Sequence, residues 1–115
     1  MSGGTGSRHD RAPVQPWLGE PALGTPASST AAKQWAAERR GRIVRLPIAS
    51  LVPTQRRVDP NKVLSMAERS GDLKPIAVML LGQFHLIIDG HHRACAHVER
   101  GDAMVPARVL RAVPG

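Results

Sequence analysis

The sequence predicts an α+β protein, a small mixed α/β domain of order β, α, β, β, α, β behind a flexible N-terminal arm. Three observations carry that reading. The chain has 115 residues, which is room for one domain and not for two. Its texture changes at Ile43, from Gly-, Pro- and Ser-rich to strand-patterned. Beyond that point two punctuated helix patterns alternate with apolar runs. The expected division is therefore residues 1–42 as a basic arm and residues 43–115 as the folded domain.

Residues 1 to about 27 hold few large apolar side chains, chiefly Val14, Trp17 and Leu18. Such a segment cannot bury enough surface to offset its ordering entropy, and disorder is expected. The alternative is a docking segment around Trp17 and Leu18. Residues 29–40, STAAKQWAAERR, read as a short helix. Ser29 or Thr30 can cap it, its alanines favour it, Trp35 anchors it and Gly41 can end it.

IVRLPIASLV, from Ile43, is spaced as strand, with Pro47 marking an edge or a bend. VDPNKVLSMAERSG follows as a helix. Asp59 suits its N-cap, Pro60 its first position and Gly71 its stop. Val63, Leu64 and Ala67 form its apolar face, with Met66 beside them. PIAVMLL is a continuous apolar run, the pattern of a strand covered on both faces. Gly82-Gln83 is a tight turn and FHLII the returning strand. Asp89-Gly90 opens a second helix, HHRACAHVER, ended by Gly101, with Ala94, Cys95 and Val98 as its buried side. MVPARVL is the closing strand.

The totals narrow the function classes. Net charge is +7, from 16 Lys and Arg against 9 Asp and Glu, which favours a polyanionic or phosphorylated partner. The excess is spread along the chain. A single cysteine, Cys95, excludes an internal disulfide framework. No apolar run approaches the ~20 residues that span a bilayer, and the N-terminus has no apolar signal segment. A soluble, cytoplasmic protein is expected.

The chemistry concentrates in LIIDGHHRACAH, residues 86–97. A helix N-terminus presents unpaired N–H groups and a partial positive charge. Gly90 lets an anion approach the backbone closely. Arg93 adds a bidentate fork matched to phosphate oxygens. Gly90, the amides of His91 and His92, and Arg93 therefore compose a phosphate site. His92 can donate when protonated or act as acid or base near neutral pH. Three roles are open to Asp89: capping the helix, holding a metal through phosphate, or orienting a water. A protein-held metal is not expected, because His91 and His92 diverge on a helix and His97 stands five residues after His92. Cys95 reads as a small buried residue. The loop PTQRRVD supplies Arg56 and Arg57 as further phosphate or DNA contacts. The ordinary alternative for all of these is a turn, a cap and solvated charges.

RLPIASLVPTQRRVDPNKVLSMAERSGDLKPIAVM, followed by FHLIIDGHHRACAHVERGDAMVPARVL, resembles the ParB/sulfiredoxin superfamily over about residues 43–111. The likeness rests on a leading strand with an Arg-containing loop, a helix running into LKPIAV, and a strand ending in DGxHR before an alanine-rich helix. It implies a compact fold that binds a nucleotide or its phosphates. In ParB proteins the matching region is GERR-like and binds CTP; here His91 and His92 stand in place of Glu and Arg, which removes the usual hydrolytic glutamate. In sulfiredoxins the motif is GGCHR; here His91 replaces the catalytic cysteine, so sulfiredoxin activity is not expected. His92 and Arg93 match the sulfiredoxin HR pair, which contacts phosphate. Lys74 lies in LKPI, a segment that packs next to the site in related proteins. The DGxHR form is similar to a branch of ParB-like nucleases and pathway regulators.

The resemblance implies a nucleotide- or phosphate-binding domain associated with DNA, in partition, transcriptional regulation, or phage and plasmid function. Its ligand would be a nucleoside triphosphate, CTP or ATP, with Mg²⁺, or a phosphorylated small molecule. One alternative is a phosphoryl-transfer enzyme (NTP hydrolase or small-molecule kinase) or metal-dependent nuclease, with Asp89 and His92 as catalytic groups. The other is a ligand-free interaction domain. DNA, a protein engaged through the arm and a second copy of the chain are the candidate macromolecular partners. No DNA-reading module follows the final strand, so DNA contact is expected from this domain, its arm or a partner.

Overall fold

The computed structural model describes residues 11–111. In chain order they form β1 (Ala12–Pro13), α1 (Gln15–Leu18), a 3-10 turn (Pro26–Ser28) and α2 (Thr30–Ala37). Then follow β2 (Ile43–Pro47), a second 3-10 turn (Ile48–Ser50), β3 (Leu51–Val52) and β4 (Arg57–Val58). The chain continues through α3 (Pro60–Glu68), β5 (Ile76–Leu81), β6 (Phe84–Asp89), α4 (His91–Arg100) and β7 (Met104–Arg111). The small α+β class read from the sequence is the class observed.

Five strands make one mixed sheet in the order β2-β7-β5-β6-β3. β5 runs parallel to β7 and antiparallel to β6, and β3 runs parallel to β6. The segment read as one bent strand, IVRLPIASLV, is two strands on opposite edges of the sheet. Pro47 ends β2, and a 3-10 turn held by Ser50 Oγ donating to Pro47 O at 2.8 Å redirects the chain. Proline cannot donate to a ladder, so the strand stops there. In the β5–β6 ladder the register shifts between Ala77 and Val78, opposite Asp89. Such a bulge bends a strand locally and re-aims the side chains beside it.

PIAVMLL is covered on both faces, as its unbroken apolar run predicts. Ile76 and Val78 face α4, packing with Ile87, Val105, Ala107 and Ala94. Ala77 and Met79 face the other way, with Leu86, Ile88 and Ala32 of α2, and Trp35 packed against them. Fully burying side chains of this kind stabilises by about 1.5–3 kcal/mol each. A third cluster joins Val63 of α3, Cys95 of α4, Val58 and Val14.

That last residue bears on the arm. Residues 1–10, and the part of the flexible-arm expectation that falls on them, lie outside the described residues. From Arg11 onward the segment expected to be disordered is docked. Val14 and Val58 are both fully buried. The Val14 amide donates to Arg56 O at 2.9 Å, the Ala22 amide to Pro53 O at 2.8 Å, and Trp17 Nε1 to Glu99 at 2.9 Å. The entropy argument asked whether this segment could build a core of its own. It instead completes one that α3, α4 and β4 leave open, so a few apolar side chains suffice. The helix expected at residues 29–40 forms as α2, capped by Ser29 Oγ, which accepts from the Ala32 amide at 3.1 Å.

α3 is capped as predicted: Asp59 Oδ1 accepts from the amides of Asn61 and Lys62 at 3.0 and 3.4 Å. Its far end is closed by a residue not singled out in the sequence. The Arg100 guanidinium donates to the carbonyls of Met66, Ala67, Arg69 and Gly71, at 3.3, 3.1, 2.6 and 3.1 Å. α4 thus supplies a donor to carbonyls in the last turn of α3 and in the residues that follow it. No helix among the described residues is long and apolar enough to cross a membrane.

Candidate functional site

β6 ends at Asp89 and α4 begins at His91, so Gly90 must make the whole turn between them. Its φ of 107° and ψ of 31° lie in the left-handed region. A Cβ there would sit 2.7 Å from Ile76 Cγ2 and 3.0 Å from the Arg93 guanidinium. Glycine is therefore required twice, by conformation and by space. α4 has no side-chain cap, which leaves its first-turn amides without that usual acceptor.

A cavity of ≈ 240 Å³ opens at this junction, lined by Asp89, Gly90, His91, His92 and Arg93 together with Lys33, Gln55 and Lys62. Arg93 is fixed: Nη2 donates to Asp89 Oδ2 at 2.8 Å and Nη1 to Pro75 O at 3.0 Å. Lys33 and Lys62 take part in no ion pair among the described residues. Three cations thus meet one carboxylate, which is already engaged.

Both histidine rings serve the loop that precedes α3. His91 Nε2 accepts from the Thr54 amide at 2.9 Å, while Thr54 Oγ1 donates to Ile87 O at 2.7 Å. His92 Nε2 accepts from the Asp59 amide at 3.0 Å. An amide can only donate, so in each ring Nε2 holds the lone pair and Nδ1 carries the proton. Burial pushes His91 down to about 4, with the neighbouring His92 and Lys33 adding to the effect against Asp89. His92 is also lowered, by burial first and then by Lys62 and Arg11. Both rings are neutral at pH 7. Cys95 is fully buried, and burial pushes its thiol up to about 12. It is a packing residue and not a thiolate.

The junction residues read from the sequence, Asp89 to Arg93, come together at one cavity. Arg56 and Arg57 do not join them; they line another cavity with Pro13, Gln15, Glu20, Pro21 and Leu23. Arg57 is drawn there by the arm, its Nη1 donating to Arg11 O at 2.8 Å. The site takes Gln55 from that loop instead. Lys33 and Lys62 were not singled out in the sequence. Lys62 had a signal, standing three residues after the N-cap Asp59 at the start of α3. Lys33 had none, since its place depends on how the arm docks. No three His, Cys, Asp or Glu side chains cluster as a metal site among the described residues.

No protein-family model matches the sequence, and no curated protein does. Two solved structures share the architecture. Sulfiredoxin from Arabidopsis thaliana is 25% identical with a TM-score of 0.55, over 62% of this chain and 86% of its own. The C-terminally truncated chromosome-partitioning protein ParB from Caulobacter crescentus, complexed with CTP-γ-S, is 24% identical with a TM-score of 0.51. That match covers 64% of this chain and 46% of the ParB chain, so this chain spans less than half of it. At such identities the likeness concerns the fold. With the strand order, the α3–α4 pair and the DGHHR junction in place, the chain has the ParB/sulfiredoxin-like fold.

Proposed function

We propose that the cavity at the start of α4 binds the phosphates of a nucleoside triphosphate or another phosphorylated molecule. The observation that carries this reading is the convergence of Lys33, Lys62 and Arg93 on a glycine-opened helix start. Helix amides and cations together are the usual grip on phosphate. Gln55 and the His92 Nδ1–H are further neutral donors. A Mg²⁺ carried by the nucleotide would neutralise phosphate charge there, and Asp89 is the one carboxylate lining the cavity. The ParB structure with CTP-γ-S supports a nucleotide, with CTP the first to test. The net charge of +7 supports an association with DNA, in partition or regulation.

Binding is preferred to catalysis on one specific ground. A general base needs a free lone pair, and the Nε2 lone pair of His92 is already held by the Asp59 amide. Asp89 shares one oxygen with Arg93.

The test is a thermal-shift measurement with CTP, ATP, ADP, GTP and inorganic phosphate, with and without Mg²⁺. A ligand at 100 times its dissociation constant stabilises the native state by about 2.7 kcal/mol. One nucleotide should raise Tm in the wild type and much less in Lys62→Ala, an exposed change that leaves the core intact. If no phosphorylated ligand shifts the wild type, the junction is a turn and a helix start, and the domain engages proteins or DNA without a nucleotide.

A further inference from the structure

A second cavity, of ≈ 210 Å³, lies on the α2 side of the Arg93–Asp89 pair. Trp35, Ala36 and Arg39 border it from the α2 side, Ile76 and Ala77 from β5, and Lys74, Pro75 and Arg108 complete it. Four cations, Arg39, Lys74, Arg93 and Arg108, face one carboxylate, Asp89, which holds Arg93 at 2.8 Å. Arg39, Lys74 and Arg108 are in no ion pair among the described residues. Glu38, the acidic neighbour of Arg39, pairs with Arg40 at 2.9 Å.

Two features separate this from a solvated basic surface. Arg108 rises from the interior of the sheet, on β7 between Ile43 of β2 and Ala77 of β5. Its Nε is shut off from solvent and has no hydrogen-bond acceptor among the described residues. A buried guanidinium N–H without an acceptor is costly, and buried polar groups normally have one. The second feature is Arg39, the one non-glycine described residue with positive φ, at 54°. It follows the last turn of α2, where glycine is the favoured residue. An arginine held in that conformation puts a guanidinium at the cavity where glycine would put nothing.

We propose that this cavity is a second binding site, for a small oxyanion gripped by Arg108, Arg39 and Lys74 beside the Trp35 ring. Its volume falls below the ~300 Å³ at which drug-sized pockets begin, so the ligand is a phosphate or carboxylate with a short organic body. The half-apolar wall of Trp35, Ala36, Ile76 and Pro75 takes that body, and the cations take the charge.

The chain's two tryptophans are Trp17 and Trp35, so Trp17→Phe leaves a single reporter at this cavity. In that background, Trp35 emission is titrated with inorganic phosphate, pyrophosphate and citrate, each against sodium chloride of equal ionic strength. Saturable change with the phosphates or with citrate supports the site and names the class of anion. Arg39→Gly should fold at least as well as its parent, by its Tm, and yet bind about tenfold more weakly. Arg108→Gln should weaken binding similarly. Unchanged affinity in Arg39→Gly overturns the proposal, as does an emission change that chloride reproduces. So does a signal lost in Lys62→Ala but kept in Arg39→Gly, which would place the anion at the start of α4.

Discussion

His92 Nε2 accepts a hydrogen bond from the Asp59 amide at 3.0 Å, tying the first turn of α4 to the N-cap of α3. One residue earlier, His91 accepts from the Thr54 amide in the same way at 2.9 Å. Two adjacent imidazoles thus clamp both ends of the 54–59 loop. They work as acceptors, and so only while neutral.

Acid should therefore unfasten the clamp. The unfolded chain protonates His91 at the usual 6.5, and the folded one at about 4. In that window the unfolded state binds more protons, so stability is complete above pH 6.5 and falls as the pH drops toward 4. The loss from His91 amounts to about 3 kcal/mol. Urea midpoints at pH 7, 5.5 and 4.5 measure it. His91→Gln, which can still accept from Thr54, should show a flatter pH dependence; an equal slope would remove His91 as the cause.

Gly90→Ala should destabilise by about 2–4 kcal/mol, from left-handed backbone strain plus the collision with Ile76. Urea unfolding reads this directly. A variant as stable as the wild type would mean that the turn relaxes.

Arg100→Met should cost about 2 kcal/mol, because the carbonyls of Met66, Ala67, Arg69 and Gly71 lose the guanidinium that donates to them. Arg100→Lys should recover only part of that, since an ammonium cannot reproduce the planar fork. Amide exchange in the last turn of α3 should speed up in both.

Val14→Ala tests whether the arm belongs to the folded unit. Val14 is fully buried against Val58, Val63 and Cys95, and truncation should cost about 2 kcal/mol. If the midpoint does not move, the segment after Arg11 is loosely held in solution.

Local chemistry and periodicity were enough to determine the elements and the junction. The Asp59-Pro60 start, the two-faced PIAVMLL strand, the Gly82-Gln83 hairpin and the Asp89-Gly90 helix start all follow from propensities acting within a few residues. The tertiary structure alone decided which distant residues meet there. Lys33 and Lys62 arrive from α2 and α3, while Arg56 and Arg57, which follow Gln55 in sequence, are turned away, Arg57 by pairing with β1 and Arg56 where its carbonyl accepts from the Val14 amide. It also decided the fate of the arm. Whether a few apolar side chains order a segment depends on the cleft they meet, and the cleft between α3, α4 and β4 exists only after the chain has folded. Hydrogen bonds from loop amides likewise set both histidine tautomers, which no spacing of residues encodes.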